Sequence, residues 1–261
     1  MNIKLYQIDA FTSKIFSGNP AAVCQLDKWL PDKILQNIAK ENNLSETAFF
    51  IKENDSFSIR WFTPKTEVKL CGHATLAAGF VIFNELSYNR NEIKFISKSG
   101  TLLVSKEEDF IVLDFPVQPP VSCAAPKLLI EGLGEKPIEV LKSEDYIAVF
   151  EREDDILSID PNFDLLKKLP LRGVSITAKA KDSDFVSRFF APKVGVDEDP
   201  VTGSAHCELT PYWANIIKKN ELYARQLSER GGEIICKLLD DRVILKGRAV
   251  KFMEGEIFLP I

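Results

Sequence analysis

The stretch Gly72 to Leu86, GHATLAAGFVIFNEL, is apolar on nearly every side. A helix of that character does not lie on a surface; protein must surround it. The flanking chain supplies the surroundings, because strand-like runs dominate the first half, at 3–10, 46–51, 57–62, 92–96, 102–105 and 110–115. Short polar turns such as Glu53-Asn54-Asp55 and Lys98-Ser99-Gly100 join several of them as antiparallel hairpins. The pattern predicts an α+β fold in which a helix threads a strand barrel.

The second half follows the same plan, with strand-like runs at 138–141, 146–150, 173–178, 185–190, 222–226, 233–237 and 243–245, and a motif helix that starts at Gly203. Laying Glu67-Val-Lys-Leu-Cys-Gly-His-Ala over Glu198-Asp-Pro-Val-Thr-Gly-Ser-Ala matches Glu67 with Glu198, Gly72 with Gly203 and Ala74 with Ala205. Between the halves, PVQPPVSCAAP (116–126) carries four prolines, as an interdomain linker does. The expected domains are 1–116 and 117–251, with 252–261 a candidate for completing the first.

Bulk properties exclude some functions. A formal charge of −5 and a pI near 5.3, with Lys and Arg spread thinly, argue against nucleic acid as a partner. The longest apolar run, Ala77 to Phe83, is far short of the roughly 20 residues that cross a bilayer. The N-terminus alternates like a strand and lacks the apolar core of a signal peptide. Five scattered cysteines without a CxxC pair indicate neither a disulfide framework nor a zinc ribbon, so a reducing cytoplasm is expected.

Each overlaid segment reads as an extended approach, a glycine and then a helix, and so presents free N–H groups and a positive dipole end. Two such ends facing each other would bind an anion. Singly, each glycine reads as the cap of a core helix; the pairing points to a site. The chain's two histidines, His73 and His206, both fall in the first turn of these helices. Either alone reads as a satisfied polar residue at a core edge, and together they read as site residues. Glu46 opens a strand that is apolar on both faces after Thr47, where desolvation would raise a carboxyl toward a value useful for acid/base work. A solvated strand-end glutamate is the alternative. Asp199, just ahead of the second helix, is open to reading as a plain dipole-stabilising acid.

Several phrases, in order along the chain, resemble the PhzF-like phenazine-biosynthesis family: Asp9-Ala-Phe, Phe16-Ser-Gly-Asn-Pro-Ala-Ala-Val, Leu44-Ser-Glu-Thr-Ala, Phe62-Thr-Pro, Cys71-Gly-His-Ala-Thr, Asp199-Pro-Val-Thr-Gly-Ser-Ala-His and Gln226-Leu-Ser-Glu-Arg-Gly-Gly. The resemblance implies a diaminopimelate-epimerase-like fold of two pseudo-symmetric domains, each a strand barrel around a central helix, with the active site in the cleft between them. It implies a cofactor-free, metal-free isomerase that shifts a proton on a small carboxylate substrate. Glu46 takes the place of the catalytic acid/base, His73, Asp199 and Ser204 those of substrate-contacting polar residues, and Gly72 and Gly203 supply backbone donors. Asn19 is placed at the same cleft, and a homodimer is expected.

The related epimerases use two cysteines, and this chain offers Cys71 at one position but Thr202 at the other. An alcohol is not a competent base at neutral pH without strong activation, which disfavours two-thiol chemistry. Cys71 reads as a buried, inert thiol or as a second acid/base group. Two rival readings stay open: a zinc enzyme using Cys71, His73, His206 and Cys207, and an enzyme fold retained as a non-catalytic small-molecule-binding module.

Overall fold

The structure, a computed structural model, describes residues 1–260. The chain divides into two compact units, one formed by Met1–Asp114 with Lys246–Ile261 and the other by Phe115–Leu245.

In the first unit, β1 (Asn2–Ala10) pairs antiparallel with β2 (Asn19–Leu26) and, along its other edge, with the C-terminal strand Ala249–Phe258. A crossover helix, α1 (Asp32–Asn42), buries Leu35, Ile38 and Ala39 and returns the chain so that β3 (Glu46–Glu53) runs parallel to β2. From there β3 pairs antiparallel with β4 (Ser56–Phe62), which takes the short β5 (Glu67–Val68) on part of its length. After helix α2 (Gly72–Glu85), β6 (Glu92–Ser97) lies parallel to β4, and β7 (Gly100–Glu107) and β8 (Phe110–Pro116) continue as antiparallel neighbours. The hairpins expected at Asn54-Asp55 and Lys98-Ser99 both form.

Helix α2 is the apolar segment foreseen from sequence. It packs against β1, β2, β3, β7 and the C-terminal strand, and its residues from His73 to Gly79 are all buried. Close approach at one point demands glycine: a Cβ on Gly79 would sit 2.9 Å from Val104 Cγ1 and 3.3 Å from Ile111 Cγ2.

The second unit repeats this connectivity. β9 (Val121–Ser122) leads, after helix α3 (Lys127–Leu133), into β10 (Glu139–Lys142), which is antiparallel to β11 (Tyr146–Val149). Helices α4 (Glu153–Ser158) and α5 (Phe163–Leu166) form the crossover to β12 (Val174–Lys179), parallel to β11. β13 (Phe185–Ala191) pairs antiparallel with β12 and with the short β14 (Val196–Asp199). Then come α6 (Gly203–Ile217), β15 (Glu221–Gln226) parallel to β13, and β16 (Gly232–Leu239). The order antiparallel, parallel, antiparallel, parallel, antiparallel is that of β1 to β7.

The overlay of Glu67 on Glu198 has a physical basis. Arg60 on β4 forks onto Glu67 through Nε and Nη2, both at 2.8 Å, and Arg188 on β13 forks onto Glu198 at 2.8 and 3.0 Å. Each guanidinium also lies over the aromatic ring two residues on, Phe62 at 5.1 Å and Phe190 at 5.0 Å. The same two-pronged clamp thus fixes the extended lead-in to each motif helix. Pro211, inside α6, removes the N–H that would have bonded Cys207 O; that carbonyl accepts from Gln118 N–H instead, at 3.1 Å.

Filling the contact at Gly79 tests the enclosure of α2. Gly79→Leu is expected to lower unfolding free energy by roughly 1–3 kcal/mol through overpacking, read as a drop in the urea midpoint at constant slope; an unchanged midpoint would contradict the packing described.

Candidate active site

Three chain starts meet in the first unit. Parallel pairing of β2 with β3 sets Ala21 opposite Glu46, so Asn19, which opens β2, and Glu46, which opens β3, lie at the same end of the sheet. Helix α2 begins there as well, with Gly72 and His73 in its first turn. Asn19 Nδ2 lies 3.2 Å from His73 Nδ1, and His73 Nε2 lies 3.2 Å from Glu46 Oε2. Cys71 Sγ approaches Nδ1 at 3.5 Å. Asn19, Cys71 and His73 are buried, while the Glu46 side chain is 17% exposed.

Proton placement follows from donor chemistry. An amide nitrogen only donates, so Nδ1 of His73 accepts from Asn19 and the ring proton sits on Nε2, toward the Glu46 carboxylate. The Nε2 to Oε2 contact is close but not linear, since Nε2 meets no hydrogen-bond acceptor in good alignment among the described residues. Burial lowers the imidazole to about 3. His73 is therefore a neutral, oriented donor.

The turn before Asn19 is built to hold it. Gly18 has φ +67°, and a Cβ there would fall 2.2 Å from Ala10 O and 2.6 Å from Thr12 Cγ2. The buried Asp9 carboxylate accepts from Phe16 N–H at 3.0 Å and closes the same loop.

In the second unit the predicted residues Asp199, Thr202, Gly203 and Ser204 gather at the start of α6. Thr202 Oγ1 donates to Asp199 Oδ2 at 2.5 Å. Gln226, buried on β15, ties this segment together: its Oε1 accepts from Thr202 N–H at 2.9 Å, and its Nε2 donates to Asp199 O at 2.7 Å. Ser228 Oγ donates to Pro200 O at 2.8 Å. Among the described residues no side chain caps α2 or α6, which leaves first-turn N–H groups as donors at both helix starts.

His206 departs from the paired-histidine reading. Its ring is fully buried beside Phe185, at 5.8 Å, and its Nδ1 donates to Thr202 O at 2.8 Å, while Nε2 has no partner among the described residues. Burial lowers it to about 4. It is a neutral core residue, one turn inward from the glycine that precedes it. Cys207 is likewise buried, its Sγ 3.6 Å from Gly203 O, and burial pushes its thiol up.

Of the four zinc candidates, Cys71 and His73 fall in a close ligand group, joined by Glu46 rather than by His206 and Cys207. The ligand atoms of these three lie within 4.8 Å of one another, the one such group among the described residues. Cys71 Sγ lies nearer Nδ1, at 3.5 Å, and Glu46 Oε2 nearer Nε2, at 3.2 Å.

A polar cluster that the sequence reading missed adjoins Ser204. Buried Asp145 holds Arg172 through Nε, at 3.0 Å, and through Nη2, and that Nη2 also donates to Ser204 Oγ at 3.0 Å. Glu208, one turn after Ser204, is fully buried; its Oε1 accepts from Asp145 N–H at 3.3 Å. Burial first, and then the charge of Asp145, pushes Glu208 up to about 8, so it carries a proton at neutral pH.

The comparisons with known proteins agree with this architecture. The family model for phenazine biosynthesis-like proteins (PhzC–PhzF) matches residues 8–255. The chain belongs to that family. An uncharacterized isomerase of Pseudomonas aeruginosa is 50% identical over 260 residues, covering 99% of this chain and all of its own. The crystal structure of a PhzF-family phenazine biosynthesis protein from Enterococcus faecalis superposes with a TM-score of 0.97 at 46% identity, over 99% of this chain and 100% of that one. A hydroxyproline epimerase from Agrobacterium vitis shares the fold alone, with a TM-score of 0.60 at 9% identity over 98% and 92% of the two chains. The PhzF family member described here therefore has the diaminopimelate-epimerase-like fold that the motifs implied.

The buried titrating groups set how stability varies with pH. His73 and His206 ionise far below their ordinary value of 6.5, so the stability they carry is present above 6.5 and is lost as pH falls. Glu208 is raised from 4.5 to about 8, so its contribution is present below 4.5 and is lost as pH rises toward 8. Two groups oppose one between 4.5 and 6.5, and Glu208 acts alone above. Stability should peak near pH 6.5 and fall toward 8 with a slope on the order of 1 kcal/mol per pH unit, and Glu208→Gln should flatten that fall. Chemical denaturation from pH 5 to 8.5 reads this directly; a wild-type curve still rising at pH 8 would refute it.

Proposed function

We propose that this chain is a cofactor-independent isomerase in which Glu46 removes a proton from carbon beside the carboxylate of a small, amino-acid-like substrate and returns it to another carbon on the same face. The observation that carries the reading is the buried neutral His73, whose Nε2 lies 3.2 Å from the Glu46 carboxylate, out of hydrogen-bond alignment, while Asn19 Nδ2 lies 3.2 Å from the other ring nitrogen. A neutral donor steadies the carboxylate without converting it into half of a strong ion pair, so the carboxylate keeps its capacity to take a proton.

Deprotonation leaves an enolate-like charge. The first-turn N–H groups at Gly72, and likewise those at Gly203, are donors of the kind that stabilise such charge. Ser204 and Asp199 are assigned to contact the substrate's polar groups. Thr202 donates its proton to Asp199 and is itself tied to Gln226, an arrangement that favours a single base over a pair of opposed ones. Cys71, beside Nδ1, is assigned to ring orientation.

The relatives support this class: three of them, at 47–50% identity, are called uncharacterized isomerases, and the distant hydroxyproline epimerase was crystallised with trans-4-hydroxy-L-proline. On the family resemblance the enzyme is proposed to work in the cytoplasm as a homodimer. The test is solvent deuterium uptake into a panel of small amino, hydroxy and unsaturated carboxylic acids. Glu46→Gln should lower exchange by at least about 10²–10⁴-fold with an unchanged circular dichroism spectrum; exchange at the wild-type rate would eliminate Glu46 as the base.

A further inference from the structure

We propose that Arg172 is a positioning residue for carboxylate binding, acting through Ser204: it occupies a lone pair of the Ser204 hydroxyl and so turns the hydroxyl proton outward toward an anionic group. The inference rests on the assignment of Ser204 to the substrate under the proposed function.

The geometry is specific. Arg172 Nη2 donates to Ser204 Oγ at 3.0 Å. A hydroxyl that accepts from a guanidinium cannot direct its own proton back along that line, so the proton points elsewhere. The neighbouring cation also polarises the O–H bond, making it a better donor to a carboxylate. Ser204 is the second residue of α6, where the first-turn N–H groups are directed out of the helix as well. Hydroxyl and backbone thus offer donors from one helix turn.

Arg172 can do this because it is not free to move. Asp145, fully buried, holds it through both Nε and Nη2, and Phe189 lies beneath the guanidinium at 5.5 Å. Although burial opposes it, the hydrogen bonds and charge of Asp145 raise the guanidinium's affinity for its proton, so the charge is permanent. Asp145 is itself anchored, since its N–H donates to Glu208 Oε1 one turn along α6. The loop is closed: Ser204 and Glu208, four residues apart on one helix face, are bridged by Arg172 and Asp145. Were the pair only a clamp for the fold, the carboxylate fork alone would serve, and the third bond to Ser204 would be idle.

The test is a double-mutant cycle read by acetate titration of the Gly203, Ser204 and Ala205 amide signals in ¹⁵N-labelled full-length protein. Arg172→Gln and Ser204→Ala should each weaken acetate binding roughly tenfold, and the double variant should be no weaker than either single one. Arg172→Lys keeps the charge but not the fork, and is expected to show the same loss while folded, which covers failure of the Gln variant to fold. Ser204→Ala should leave the melting temperature near wild type. Losses that multiply in the double variant, a Ser204→Ala protein that binds as wild type, or α6 amides that ignore acetate altogether would each overturn the proposal. Acetate titration of the α6 amides requires no turnover and deuterium exchange does, so failure of the proton-transfer reading and failure of this one are separate results.

Discussion

The first unit's site depends on one imidazole that is buried, neutral and held at Nδ1, with Nε2 close to a carboxylate. Burial removes the charge from His73, Asn19 chooses the tautomer, and the remaining N–H is left facing Glu46. None of these works alone. The amide on Nδ1 and the carboxylate near Nε2 favour the same tautomer, and without burial the ring would ionise more readily beside that carboxylate. The strand register that sets Glu46 beside β2 and the left-handed Gly18 that delivers Asn19 both converge on this ring.

The second theme is duplication. Each unit places a helical crossover between its second and third principal strands, one helix in the first unit and two in the second, then a short strand before the motif helix and an arginine fork across that short strand. The fork matters because the lead-in to each helix is extended and short, and would otherwise depend on a few backbone hydrogen bonds. The two helix starts then diverge chemically. One carries His73 and Cys71, and the other carries Ser204, with Thr202 bound to Asp199. A repeated frame with different side chains at matching positions gives different tasks to similar geometry.

What the sequence revealed follows from the range of the interactions involved. The apolar character of 72–86 announced an enclosed helix, and alternation with polar turns announced the strands around it. The family motifs marked Glu46, His73, Asn19 and the residues from Asp199 to Ser204, which do form two clusters. The strand β2 lies outside the expected strand runs, because Gly18 precedes it and Pro20 is its second residue, yet it is the strand that delivers Asn19. The position of His206 in the first turn of α6 does not say which way its ring faces; its Nδ1 turns back to the carbonyl four residues earlier. Arg172 and Asp145 carry no local signal, because they pair with each other across 27 residues and Arg172 reaches Ser204 across 32. Buried polar pairs of that span are properties of the fold, not of any window of sequence.

The orientation of His73 is the claim on which the mechanism turns, and ¹⁵N NMR of the protein labelled at histidine measures it directly. The account predicts a neutral ring with the proton on Nε2 and a bare Nδ1, unchanged from pH 5 to pH 8. An imidazolium at pH 6, or a proton resident on Nδ1, would contradict it.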